Sequence, residues 1–443
     1  MLLCGIWIVS LQIIRAQRHT SEASLWTSPK RPARPKPQST DPETGCGGSM
    51  HTAHTTDIST DVAPDWAAIT VVILGVTAFA VGQGLTYPLI ALILESRGVS
   101  SSMAGLNASV FALGLASSTL MIGRLTQKIR GDRLIVASLC GVSVCLATFS
   151  AFDELWIWFV ARFLLGFCTS IIYTVSEAWL NTACPDRLRG RVSGAYSAGM
   201  CAGFAAGPLA IPLVGIEDGF AFALTAGYVA LVAFASVMLG RYAKTKPEAS
   251  EAGGLLTFVR MAPVLTLMVV AFGFSDIAAI SMIPLYFVER GYSQNFAAFV
   301  VTMVALPTAL AQPFVGWLLD RLSRPVIAVS GSLIAAIAFL ALPFMTSEVA
   351  LLITISILGA ASFSLYTAAL TLLGERFRGG LLVSGAAVFA LAYAIGSAAG
   401  SGSTGLTMDL ISVDAGPVFV GLLMLGFTGF FALNLLRLRA AKR

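Results

Sequence analysis

The chain has 443 residues, of which 56% are hydrophobic and only 12% charged, with a mean hydropathy of +0.83. That balance excludes a soluble globular enzyme or a nucleic-acid-binding protein and describes a polytopic membrane protein. The formal net charge of +5 is then a matter of where the cations sit along the chain, not of a polyanionic partner.

Residues 1–62 stand apart from the rest. An apolar start too short to span a bilayer leads into "SPKRPARPKPQSTDPETGCGGS", whose Pro, Ser and charge content reads as a disordered N-terminal extension; the alternative is that translation begins at Met50. All three histidines, His19, His51 and His54, fall before the first long apolar segment. Proton chemistry inside the membrane region therefore has to use carboxylates. The seven cysteines form no C-x-x-C pair and mostly lie in apolar segments, so they read as small hydrophobes, not as a disulfide or zinc framework.

From residue 63 onward come twelve stretches of roughly 18 or more mostly apolar residues. They begin near Trp66, Met103, Leu134, Leu155, Val192, Gly219, Met261, Ala297, Val326, Val349, Leu381 and Ala415. The predicted organisation is a six-span half over 63–242, a polar inter-half loop over 243–260, a second six-span half over 261–437 and a basic tail over 438–443. With both ends on one side, that side holds nineteen cations, running from Arg124, Lys128, Arg130 and Arg133 to Arg437, Arg439, Lys442 and Arg443. The opposite loops hold only Arg97 and Arg290, beside acids such as Asp153, Glu154, Asp409 and Asp414. The positive-inside rule makes the first side, with both termini, cytoplasmic.

Span four carries a polar stripe. At 100° per residue, Gly166, Thr169, Tyr173 and Glu177 fall within about 60° of Arg162, with roughly 22 Å between the two ions along the axis. Such a stripe should face the protein interior, because a charge at the bilayer centre costs about 2.5–3.5 kcal/mol even on insertion scales. The reading leaves a second place for Glu177, at the cytoplasmic interface anchoring "CPDRLRGR". In span five, Gly199, Gly203 and Gly207 share one face before Pro208, a pattern that lets another helix approach closely, with Pro208 bending the span.

One internal offset, 193 residues, recurs at separated places: "RGVS" from Arg97 with "RGYS" from Arg290, Gly123 and Leu125 with Gly316 and Leu318, "LGFCTSIIYT" with "LGAASFSLYT", and "GFAAG" with "GSAAG". Six spans repeated in one orientation describe two parallel halves with a ligand site between them near mid-membrane. The repeat pairs Thr169 with Ser362 and Tyr173 with Tyr366, whereas Arg162 pairs with Ile355 and Glu177 with Leu370. The second half's buried ion is Asp276, in "GFSDIAAISMIP" of span seven. Offset 193 pairs it with Gln83, which shares a face with Tyr87; aligning Pro88 with Pro284 pairs it with Ala80 instead. A carboxyl group in low dielectric changes protonation as water access or a cationic partner changes, so Asp276 is the leading candidate for ion coupling; a fixed pair with Arg162 is the structural alternative.

With these motifs the chain resembles the major facilitator superfamily over roughly residues 63–440. The family's loop signature, G-x-L-x-D-R-x-G-R-R, is kept at Gly316, Leu318, Asp320, Arg321 and Arg324, and partly at Gly123, Leu125 and Lys128, where Gln127 replaces the aspartate. The span-five signature G-x8-G-x3-G-P is present as Gly194, Gly203, Gly207 and Pro208, without its further glycine pair, and "RFLLG" from Arg162 is similar to the family's span-four arginine motif. "YTVSEAWLN" and "LILESRG" look like a bacterial branch of largely unassigned substrate.

The resemblance implies the all-α fold of twelve transmembrane helices in two six-helix repeats, in a bacterial inner membrane. It further implies gating by the two signature loops and coupling at Arg162; the carboxylates Asp276 and Glu177 are the coupling candidates that burial adds, and Gln83, Tyr87, Thr169, Tyr173, Ser362 and Tyr366 are the candidates for the substrate cavity. The span-five signature implies export, so the expected function is proton-coupled efflux of a small organic molecule by alternating access. The rivals are uptake by proton symport and a non-transporting receptor of the same fold. No Walker loop or paired-carboxylate metal motif is present, so no enzyme activity, cofactor or metal is expected. The expected partners are the substrate, protons and the bilayer, with a monomer favoured and no nucleic acid.

Overall fold

The computed structural model describes residues 64–215, 219–245, 255–377 and 380–440. The expectations for residues 1–62, for the middle of the inter-half loop and for Lys442 and Arg443 lie outside them. Among these residues, twelve helices are long and apolar enough to cross a membrane. They are α1 (Trp66–Ser96), α2 (Ser101–Lys128), α3 (Gly131–Ala151), α4 (Leu155–Ala183), α5 (Asp186–Leu209), α6 (Phe220–Gly240), α7 (Pro263–Glu289), α8 (Gln294–Arg321), α9 (Arg324–Ala341), α10 (Glu348–Arg376), α11 (Gly380–Leu410) and α12 (Ala415–Ala440). All but α5 begin within three residues of the predicted start; α5 begins at Asp186, six residues before Val192. A seven-residue helix, Leu255–Met261, occupies the end of the stretch read as loop and leads into α7.

Inside a bilayer only internal hydrogen bonds satisfy polar groups, and the Ser and Thr side chains follow that rule. Thr77 donates to the Ile73 carbonyl (2.8 Å), Thr225 to Ala221 (2.7 Å) and Thr404 to Gly400 (2.6 Å), each one turn back. The lipid-facing surface is left to residues such as Leu120, Leu231 and Leu310.

The repeated "RGVS/RGYS" is a helix–helix turn built twice. Gly98 and Gly291 adopt φ of 69° and 86°, which glycine reaches without a Cβ clash. The next helices are capped by Ser100, accepting from the Met103 N–H (3.4 Å), and by Ser293, accepting from the Phe296 N–H (3.1 Å). Glycine packing repeats as well. A Cβ on Gly203 would meet the Thr77 carbonyl and Val81 nitrogen of α1; on Gly396 it would meet the Val270 carbonyl and Phe274 nitrogen of α7. These contacts hold offset 193 through the middle of both helices, so the structural partner of Asp276 is Gln83 and the proline-based alignment is set aside.

The glycine face of α5 thus packs on α1 of the same bundle. Gly199, Gly203 and Gly207 all stand where a Cβ would lie under 3 Å from α1 atoms, while a Cβ on Gly194 would meet nothing within 4 Å. Gly194 therefore has no packing role, contrary to the sequence reading. Pro208 is followed by a break at Ala210 and a short helix, Ile211–Val214, which realises the expected bend. Cys140, Cys145 and Cys168 are free thiols. Cys201 is disulfide-bonded, which departs from the reading of all the cysteines as small hydrophobes; its partner lies outside the described residues.

The halves α1–α6 and α7–α12 meet mainly through α2 against α11 and α5 against α8. Ser109 donates to the Ala398 carbonyl (2.7 Å), and the residue 193 positions on, Thr302, donates to the Ala205 carbonyl (3.1 Å), itself 193 positions before Ala398. Nearer the acid-rich end, the Asp409 carboxylate accepts from the backbone N–H of Ser101 (3.0 Å) and Ser102 (2.7 Å), and Ser101 hydrogen-bonds Glu289. Where both partners are described, every hydrogen bond between the halves lies in this acid-side portion of the bundle. The two cations at that end are each paired, Arg97 with Asp153 (2.5 Å) and Arg290 with Asp414 (3.1 Å).

Candidate functional site

Arg162 lies in the second turn of α4, roughly 10 Å from its acid-side end. The side chain is 1% exposed, and its guanidinium sits 5.0 Å from the Tyr87 ring centre and 4.8 Å from that of Phe111. Cation–π attraction to two rings offsets part of the cost of burying the charge. It satisfies no N–H donor, and Nε and Nη1 have no hydrogen-bond partner. The stripe predicted on α4 does face the interior, but at Arg162 it is packed, not open. Gly166 explains why, since a Cβ there would lie 2.1 Å from the Phe111 carbonyl, so α2 presses directly on this face.

Asp276 sits midway along α7 and is 3% exposed. Its Oδ2 accepts a hydrogen bond from the Tyr393 hydroxyl of α11 (3.0 Å). No ion pair joins Asp276 to Arg162 among the described residues, so the fixed-pair alternative is replaced by a tyrosine–carboxyl contact. Tyr87 lies between them, within electrostatic reach of both, and its hydroxyl accepts from Gln83 Nε2 (3.1 Å). Immediately after Asp276 the helix widens into a π-turn, Ala278–Met282. Pro284 supplies the reason, because it has no N–H to offer the preceding turn, and such bulges recur at functional sites.

Toward the basic end stands a group of tyrosines. Glu177, half-buried, is within electrostatic reach of Tyr173 on its own helix, Tyr196 on α5 and Tyr366 on α10, the last from the other half. Tyr366 is fully buried, stacks on Phe272 (4.9 Å between centroids) and, like Ser362 one turn earlier, has a hydroxyl without a partner. Thr169 is buried on α4 between Arg162 and Tyr173.

The signature-loop residues lie at the basic end. Lys128 and Arg321 are the last residues of α2 and α8, 193 apart, where a cation complements the helix dipole. Arg321 covers the Trp317 ring (4.3 Å), and Arg324 pairs with Glu375 (2.6 Å), tying the start of α9 to the end of α10. Gly123 and Gly316 lie in the preceding turns of α2 and α8, and a Cβ on Gly316 would meet nothing within 4 Å. The Asp320 side chain lies outside what is described.

Sequence reasoning missed Tyr393, Phe111, Asn107 and Tyr196. Asn107 is fully buried on α2 with neither amide atom partnered, and a lone amide in an apolar span was its only signal. Tyr393 has no polar counterpart at the repeat position, Met200, so self-similarity could not find it.

These features define a class: a multi-pass, all-helical membrane protein of two homologous halves that gathers its few buried ions where the halves face each other. The family model described as Major Facilitator Superfamily matches residues 72–401, and again 265–442, and the chain belongs to that superfamily. It is 24% identical over 349 residues to the uncharacterized MFS-type transporter YfkF of Bacillus subtilis (strain 168), covering 77% of this chain and 88% of that one. It is likewise 24% identical over 346 residues to the uncharacterized MFS-type transporter YcaD of Escherichia coli O7:K1, covering 76% and 89%. Among solved structures, the fold is similar to the nucleoside transporter NupG (TM-score 0.69, 13% identity, 84% of this chain and 99% of that one). It is also similar to a bacterial homolog of the human lysosomal transporter Spinster in an inward-facing, unoccupied conformation (TM-score 0.66, 14% identity, 83% and 95%).

Proposed function

We propose that this member of the superfamily is a proton-coupled secondary transporter of a small organic molecule, working by alternating access with Asp276 as the proton site. The observation that carries the reading is the Asp276 carboxyl, buried midway across α7, hydrogen-bonded by a tyrosine and without an ion pair among the described residues. A carboxyl so placed holds a proton in one exposure and releases it in another at small structural cost. The positive-inside rule supports a cytoplasmic basic end in a bacterial inner membrane, which would put the hydrogen bonds described between the halves on the external side.

Export is the direction that the α5 signature suggests. A specific observation favours co-transport of substrate with the proton instead. Gly203 and Gly207 are accounted for by contact with α1, and the site holds a buried cation without an ion pair among the described residues, Arg162, with Tyr87 in electrostatic reach of both it and Asp276. The experiment is proton flux in proteoliposomes on addition of candidate compounds, wild type against Asp276→Asn. Compound-driven flux should be lost in the variant. Flux that persists transfers the proton site to Glu177 and ends this reading. The sign decides direction, because a compound that drives protons the same way as itself is co-transported and the opposite sign means antiport.

A further inference from the structure

The described residues supply no counter-anion for the most deeply buried cation among them. Arg162 is 1% exposed with Nε and Nη1 unpartnered, and its two aromatic neighbours stabilise charge without accepting an N–H. The acids near enough to consider are elsewhere engaged or remote. Asp276 is held by Tyr393, and Glu177 lies roughly 22 Å along α4. Two amides add unmet polar capacity. Asn107 lies one turn toward the acid-side end from Phe111 on the same face of α2, with both amide atoms unpartnered and no exposure, and Gln83 Oε1 on α1 is unpartnered too. A guanidinium with open donors, together with an open amide one helical turn from the Phe111 ring that the guanidinium covers, is complementary to a planar oxyanion. The rings of Tyr87, Phe111 and Phe204 close on one another here (5.5 Å and 6.3 Å between centroids from Tyr87), and a flat apolar body attached to the oxyanion would take the place of those ring contacts when the packed site opens.

We propose that Arg162 anchors the carboxylate of a small aromatic organic acid, which is the transported substrate, with Asn107 completing its hydrogen bonding. The proposal rests on the transporter reading above and names its substrate class. It also sets the coupling: an anion at Arg162 and a proton at Asp276, with Tyr87 between them, relieve each other's burial, so the two are taken up together.

The test uses the full chain with benzoate, 4-hydroxybenzoate and phenylacetate as probes, and benzamide and benzyltrimethylammonium as neutral and cationic counterparts. The carboxylates should raise the melting temperature of the purified protein and support counterflow in proteoliposomes, and the counterparts should do neither. Arg162→Gln should weaken carboxylate binding about 10- to 100-fold, with Arg162→Lys in between because it keeps the charge. If Arg162→Gln does not fold, Asn107→Leu and Phe111→Leu probe the same pocket and should each weaken binding measurably. Carboxylates without effect on wild type, carboxylate affinity unchanged in all these variants, or binding of benzyltrimethylammonium in their place would overturn the proposal. Asp276→Asn separates the two readings. Carboxylate binding that survives in it while proton flux is lost supports both; proton flux that persists in it while Arg162 variants lose carboxylates sinks only the coupling; proton flux driven solely by non-anionic compounds sinks only the anion.

Discussion

Asp65 shows how much one side chain outside the membrane core can organise. It caps α1 by accepting from the Ala68 N–H (3.2 Å), and its Oδ2 accepts from the Lys244 N–H, the Thr245 N–H (both 2.7 Å) and the Thr245 hydroxyl (2.9 Å). Trp179 Nε1 donates to the Thr245 carbonyl (3.1 Å), so the beginnings of α1 and of the inter-half segment and the end of α4 are held in one knot. Burial alone would raise the Asp65 pKa, but the hydrogen bonds from Thr245, Ala68 and Lys244 outweigh it and hold the carboxyl below its ordinary range. The ionised form is therefore the one that folding favours. Its contribution is complete well above the unfolded value of about 3.9 and is lost as pH falls from there through the lower folded value. Asp65→Asn should cost about 1–3 kcal/mol near neutrality, seen as a lower melting temperature in detergent, with the gap to wild type closing in acid. A gap independent of pH would show that the charge is not what Asp65 contributes. At this scale the sequence exposes the ions, since Arg162 and Asp276 are conspicuous in apolar spans. Their neighbours are not legible, because Phe111, Asn107 and Tyr393 arrive from other helices and carry no local pattern that marks them.

Among the elements, α5 makes the clearest distinction between a motif and its physical role. Three glycines spaced as a signature look equivalent in the chain, yet a Cβ on Gly207 would lie 2.4 Å from the Leu85 nitrogen and 2.6 Å from the Val81 carbonyl, whereas one on Gly194 meets open space. Backbone atoms cannot step aside as a flexible side chain can. Gly207→Ala should therefore force α5 off α1 and cost about 1–3 kcal/mol, as overpacking does, with lower yield and melting temperature. Gly194→Ala should be neutral or stabilise by up to about 1 kcal/mol through helix propensity. Equal effects at both positions would mean that contact with α1 is not the reason for the glycines. The π-turn after Asp276 belongs to this scale too. Pro284 in the sequence announces an irregularity in α7, but whether the helix kinks, breaks or widens depends on what packs around it.

For the whole molecule, the 193-residue repeat becomes a pseudo-twofold joint: Ser109 on Ala398 and Thr302 on Ala205 are the same bond made twice. Asp409 reinforces the joint by capping α2 from the opposite half, where a carboxylate meets two N–H groups at a helix N-terminus. Removing it should loosen the acid-side closure without touching the central site. Asp409→Ala is expected to increase several-fold the rate at which a membrane-impermeant maleimide labels a cysteine placed at Ser102, relative to the same cysteine with Asp409 intact. An unchanged rate would show that the small-residue contact between Gly405 and the Ser101 carbonyl suffices to hold the halves together.

Span number and the two-fold repeat could both be read from the chain, because bilayer thickness and internal duplication each leave a one-dimensional trace. The joint that closes one end, the company each buried ion keeps and the choice of Gln83 as the counterpart of Asp276 could not. Those depend on which helices touch and at what height, and in lipid no hydrophobic periodicity records that, since an apolar side chain suits a helix neighbour and a lipid tail equally well.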